Sequence, residues 1–178
     1  MSRHAKKITP ERQIEFACTV MEYNCIFAAA MALRAPVSLL LTTAALEAAH
    51  SLGYYEGFVL PRRAPPGAWT DLPLREHLEA VRMCFTASVP PLHLQTIVRA
   101  AKEQLGDGQP VPVQTFMIGS TLRFLATLHL RLKRASQDTS SSSEDREVVT
   151  AFLADFDACF QRVSKRTQAR FEVPGYDS

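Results

Sequence analysis

Glu47 and His50 stand in the segment Glu47-Ala-Ala-His50, a spacing that sets a carboxylate and an imidazole on one face of a helix. Di-iron carboxylate bundles use such a pair twice, with two further inward glutamates. Glu22 and Glu79 could serve as extra carboxylates, but the chain has no second Glu-x-x-His. A partial motif of this kind is weak. Glu47 and His50 are therefore read as polar residues near a helix end, and no metal or cofactor is expected.

Zinc is supported no better. His77 and Cys84 are seven residues apart, as are Cys18 and Cys25, and neither pair has the short ligand spacing of a structural zinc site. The four cysteines, Cys18, Cys25, Cys84 and Cys159, fall in stretches that read as helix interiors, without a C-x-x-C. Free, buried thiols are expected. An activated thiol needs a neighbour that lowers its pKa, and none adjoins these in sequence. His4, His93 and His129 are isolated. No catalytic residue is assigned, and a metal- or thiol-dependent enzyme built in a helical bundle is the alternative reading.

Twenty Lys and Arg against 18 Asp and Glu leave a net charge of +2, which makes no electrostatic case for a polyanionic partner. Locally, Arg162, Lys165, Arg166 and Arg170 lie at helical spacing and, with Arg131, Lys133 and Arg134, could form a phosphate-contacting patch. Compensation of helix dipoles explains the same residues, so nucleic-acid association stays a secondary alternative. Ser141-Ser-Ser-Glu-Asp145 offers hydroxyls followed by acids and could be phosphorylated. Ser141 and Glu144 also have the spacing of a capping box.

Helices must position these groups. From Tyr23 to Leu46 the only formal charge is Arg34, and Ala35-Pro36 interrupts the run. Each piece is too short to cross a bilayer, so no membrane span is expected; proline instead divides two helices of a buried hairpin lined by alanines. Thr9-Pro10-Glu11 reads as the start of the first helix, residues 10 to 34. The second, 37 to 52, is stopped by Gly53. A third covers 72 to 87, because Leu74, Leu78, Val81 and Phe85 repeat at helical spacing. A fourth covers 91 to 105, a central fifth 113 to 134, and a sixth 144 to 170 with the stripe Val149, Phe152, Leu153, Phe156, Phe160 and Val163. No strand pair is expected. The fold class is all-α, a single-domain bundle of about six helices with one long irregular loop after the second helix.

The bundle domain covers residues 9–171, after a basic arm at 1–8 and before a tail at 172–178, with a Ser-rich loop at 136–143. Residues 53–71 hold three glycines and three prolines, which leave little room for an element. Loops this long tend to be functional or disordered, and Tyr54, Tyr55, Phe58, Arg62, Arg63 and Trp69 are of the types enriched in interface hot spots. They form the predicted partner-binding surface. The function expected is that of a non-enzymatic helical interaction protein, an adaptor or subunit that binds a protein partner, with homo-oligomerisation an option. No signal peptide is read at Met1. With the thiols, this points to a cytoplasmic or nuclear compartment.

Overall fold

Arg12-Gln-Ile-Glu-Phe-Ala-Cys-Thr19 alternates in burial, with Phe16 and Cys18 inside and Gln13 and Glu15 outside, a period of two that belongs to a strand. This is β1 (Arg12–Thr19), in a computed structural model that describes residues 11–55, 58–59, 82–106 and 109–171. The expected first helix therefore starts ten residues late. Thr19 caps α1 (Val20–Ala32): its hydroxyl accepts from the Glu22 N–H at 3.2 Å, while the Glu22 carboxylate accepts from the Thr19 N–H at 2.8 Å. That reciprocal box satisfies two helix-end donors and outweighs the signal at Thr9-Pro10.

α1 ends in a Schellman turn, with the Arg34 N–H bonded to Met31 O and the Ala35 N–H to Ala30 O. Arg34 takes the left-handed φ of 52° that such a turn requires. Pro36 then opens α2 (Val37–Ser51), and the two helices meet at 102°. They make a corner, not the expected hairpin, and their alanine faces pack on later helices. Gly53, at φ 91°, closes α2 as anticipated.

The chain continues into a ladder of β2 (Tyr54–Tyr55) with β3 (Phe58–Val59), so the start of the expected irregular loop is paired. The proposed third helix is not formed over its described part. Residues 82–87 belong to β4 (Arg82–Val89), antiparallel to β1 with Phe16 opposite Phe85 and Cys18 opposite Met83; residues 72–81 lie outside the described residues. Met83, Ala87 and Val89 are buried at every second position or its multiple, while Cys84 and Thr86 face out. The stacked rings of Phe16 and Phe85, 5.2 Å apart, join the two strands across the register, and Phe27 meets Phe85 edge-on at 5.3 Å.

α3 (Pro91–Glu103) follows, then a short ladder of β5 (Leu105–Gly106) and β6 (Gln109–Pro110). α4 (Val113–Gln137) and α5 (Ser143–Phe171) complete five helices among the described residues. The chain is thus mostly helical, with a two-stranded ribbon where two helical segments were expected. The Ser-rich loop shortens to residues 138–142, since Ser136 lies in α4 and returns its hydroxyl to Lys133 O. Ser142, not Ser141, caps α5; its hydroxyl accepts from the Asp145 N–H at 3.0 Å.

Phe16, Ile26, Leu41, Ile97, Phe116, Met117 and Ile118 form the floor of the main core, drawing on β1 and the first four helices. A smaller cluster, Ala28, Ala32, Cys159 and Val163, joins α1 to α5. Beside it the Thr167 hydroxyl donates to the buried Asn24 Oδ1 at 2.8 Å. Asn24 meets Thr167, and Ala29 lines a common hollow with Phe156, so α1 and α5 run in opposite directions. No single helix among the described residues is long and apolar enough to cross a membrane; α1 and α2 reach that length only when added across their bend.

Candidate functional site

Ala44, Glu47, Ala48 and Ser51 recur at i, i+3, i+4 and i+7, so α2 turns one narrow face of small and polar residues towards α4. α4 answers with Ser120, Arg123, Phe124, Thr127, Leu128 and Arg131. Where the two helices face each other across Ala44, Ala48 and Ser120, side chains are too small to close the gap. A groove of about 300 Å³ results. Phe124 and Leu128 supply its apolar wall, and Arg123, Arg131 and Glu47 its exposed charged rim.

At its floor, Ser120 is 3 % exposed and its hydroxyl has no hydrogen-bond partner. The neighbouring Thr121 solves the same problem by donating to Met117 O, one turn back, at 2.8 Å. Ser120 does not. The Thr42 hydroxyl on α2 is buried without a partner in the same way.

Glu47 and His50 do not act together. Glu47 faces the groove, whereas the His50 ring stacks on Tyr55 with centroids 4.7 Å apart and 11° between planes. Glu22 is engaged in the cap of α1, and Glu79 and His77 lie outside the described residues. Among the described residues no group of three His, Cys, Asp or Glu is placed to hold a metal ion. The thiols separate in the same way. Cys18 and Cys84 are on strands, Cys84 is exposed, and burial, reinforced by the charge of Glu22, pushes the Cys25 thiol up. That is the opposite of an activated nucleophile.

No protein-family model, curated protein or solved structure matches this chain.

Of the predicted partner-binding residues, Tyr54 is 2 % exposed and belongs to the main core, Tyr55 is half-buried against His50, and Phe58 pairs with Tyr55 in the ladder. Arg62, Arg63 and Trp69 lie outside the described residues. The two halves of the anticipated basic patch are not neighbours. Arg131, Lys133 and Arg134 precede the turn into α5, while Lys165 and Arg166 follow its start by more than twenty residues, roughly 30 Å of helical rise.

A second surface was missed. α4 beyond Leu132 and α5 before Phe152 run on together as a two-helix arm past the end of α1, and the stripe they share is only partly covered where α1 ends. Leu128 and Leu132, with Phe152 and Leu153, surround a small apolar hollow that Ala29 and Leu33 of α1 close on one side. Leu33 is exposed, and so are Leu130 at 54 % and Val148 at 66 % on the flanks of the arm. The apolar period of the last helix was visible in sequence. That α1 is too short to cover all of it was not.

Proposed function

We propose that this chain is a non-enzymatic helical interaction protein, an adaptor or subunit of a protein assembly, that binds a protein partner along the α4–α5 arm. The observation that carries this reading is the set Leu128, Leu132, Phe152 and Leu153, which lines an apolar hollow beside the end of α1 and is only partly buried, with Leu33 exposed next to it. Apolar side chains left partly open on a folded chain are one sign of a binding site. An apolar helix face of a partner, laid along the arm, would fill the hollow and cover the stripe as α1 covers it nearer the base. In the same reading Tyr55, Phe58, Arg62, Arg63 and Trp69 provide a further contact surface, because aromatic and arginine side chains dominate hot spots.

The enzyme alternative has less support. Glu47 and His50 have different neighbours, and the Cys25 thiol is pushed up by burial. The nucleic-acid alternative loses its combined patch to the length of α5.

Leu33→Glu combined with Leu153→Glu tests the proposal in protein co-purified from its native source. The pair should lower recovery of one defined partner by at least about tenfold, the loss expected at a hot spot, with an unchanged helical spectrum. Equal recovery of that partner would refute the arm as the interface. A mass that doubles with concentration in the wild type and not in the variant would make the partner a second copy.

A further inference from the structure

We infer that Ser141 is a phosphorylation site for an acid-directed protein kinase, and that the phosphate opens the turn between α4 and α5. This goes beyond partner binding on the arm and does not depend on it. Five hydroxyls in a row, Thr139 to Ser143, stand before Glu144, Asp145 and Glu147. A kinase that selects acidic substrates does so by charge pattern, with a basic pocket for the side chain three residues after the acceptor. Position decides among the five. Three residues beyond Thr139 and Ser140 stand serines and beyond Ser143 stands Arg146, so Ser141 and Ser142 alone meet an acid there, Glu144 and Asp145.

The structure separates these two. Ser142 is the cap of α5, and its hydroxyl accepts from the Asp145 N–H at 3.0 Å and donates to the Asp145 carboxylate at 2.6 Å. Acceptor and acid are bound to each other. Ser141 and Glu144 have the spacing of a capping box, yet the cap forms one residue later and leaves their spacing without that use. Residues 138–142 lie between the helices, and from 138 to 145 every residue is exposed except the partly buried Ser141. A kinase reaches this segment once the first turn of α5 frays, and helix ends are the cheapest part of a fold to open.

Magnesium ATP supplies the phosphoryl group. Its γ-phosphorus bonds to Ser141 Oγ as the bond to the ADP oxygen breaks, and the hydroxyl proton passes to the catalytic carboxylate of the kinase. An anion then stands where a hydroxyl was. Asp138 gives this a consequence, because its carboxylate accepts from the Ser140 N–H at 2.8 Å and the Ser140 hydroxyl at 2.6 Å, and the Ser141 N–H reaches Asp138 O at 3.3 Å. Ser140, and less strongly Ser141 and Arg146, hold that carboxyl ionised below its usual range. A phosphate on Ser141 replaces a donor with like charge. Across residues 138–147 the one cation, Arg146, faces four carboxylates, Asp138, Glu144, Asp145 and Glu147, so repulsion prevails.

Incubation of the full chain with magnesium ATP and an acid-directed casein kinase, read by intact mass and fragmentation, tests the site. One phosphoryl group should be added per chain, on Ser141, while a base-directed kinase adds none to residues 139–143. Glu144→Lys should slow incorporation by at least about tenfold, the worth of one charge-assisted contact. Ser141→Ala should abolish it, and Ser142→Ala, which removes the cap, should leave Ser141 the acceptor. These positions lie on an open turn, and a melting curve for each variant verifies the fold. In the phosphorylated chain the amides of Ser140 and Ser141, both bonded to Asp138, should exchange about tenfold faster, the loss of one hydrogen bond to a charged group. No incorporation, phosphate on another hydroxyl in place of Ser141, a rate indifferent to Glu144→Lys, or unchanged exchange would each overturn the inference.

Discussion

The base of the molecule and the α4–α5 arm are built by the same two helices and end in opposite conditions. At the base, Phe116, Met117 and Ile118 of α4 are fully buried among residues of β1, α1, α2 and α3. At the start of the arm, Leu128, Leu132, Phe152 and Leu153 keep the same period and are only partly buried. Helical periodicity says which face is apolar; it does not say whether another element exists to cover that face. Here α1 runs along the stripe from Thr167 to about Phe152 and stops.

The largest effect expected from this difference is on stability. Phe116→Ala should cost about 3–5 kcal/mol in denaturant unfolding, through lost burial and a cavity, whereas Phe152→Ala on the half-covered stripe should cost less than about 2 kcal/mol. Phe156 touches both clusters and is half-buried, so its truncation should fall between the two. Equal losses at Phe116 and Phe152 would break the comparison, because the arm would then be core.

A smaller effect tests how the two regions are joined. Thr167→Val keeps shape and removes the donor to Asn24 Oδ1, leaving a buried carbonyl unpaired at a cost of about 1–3 kcal/mol. Asn24→Ala should cost less from the hydrogen-bond term, since the Thr167 hydroxyl also has Val163 O within 3.0 Å. The reverse order in melting experiments would show that the pair does not work in this way.

The smallest effect concerns the corner that turns the chain away from the arm after α1. Arg34 holds a left-handed φ that costs a residue with a Cβ about 1 kcal/mol, and Gly53 fills the same role after α2 without that cost. Arg34→Gly should therefore leave stability equal or raise it by up to about 1 kcal/mol, the relief of strain being offset by a more flexible unfolded chain. A clear loss would mean that the Arg34 side chain itself supports the corner.

Much of this architecture was legible from sequence. Helices at 37–51, 91–103, 113–137 and 143–171 follow from their apolar periods and from proline and glycine at their ends. The ribbon was hidden because Phe85 fits two patterns: it continues Leu74, Leu78 and Val81 at helical spacing, and it alternates with Met83 and Ala87 in the strand. Only pairing with a segment nearly seventy residues away decides between them, and local sequence does not contain that contact. Thr19-x-x-Glu22 was the local sign that the first helix begins late.

The groove was legible in pieces. Glu47 and Arg131 stood out, but as half of a metal motif and as part of a basic cluster. Ser120, Arg123 and Thr127 were overlooked within a helix that seemed apolar nearly all round. Their repeat at i, i+3 and i+7 was the available signal. The space they line exists because Ala44 and Ala48 lie opposite them on another helix, a fact of tertiary packing. Tyr54 shows the converse, since an aromatic assigned to recognition is needed by the core.

Hydrogen exchange, measured by mass spectrometry on the free chain and on the complex purified from its source, tests the central claim most directly. In the free chain, amides of residues 128–137 and 143–153 should exchange much faster than those of 116–125, because little buried area holds the arm closed. In the complex, the same arm segments should gain the largest protection of any part of the molecule. Uniform protection along α4 in the free chain, or a complex that protects only segments away from the arm, would contradict the account.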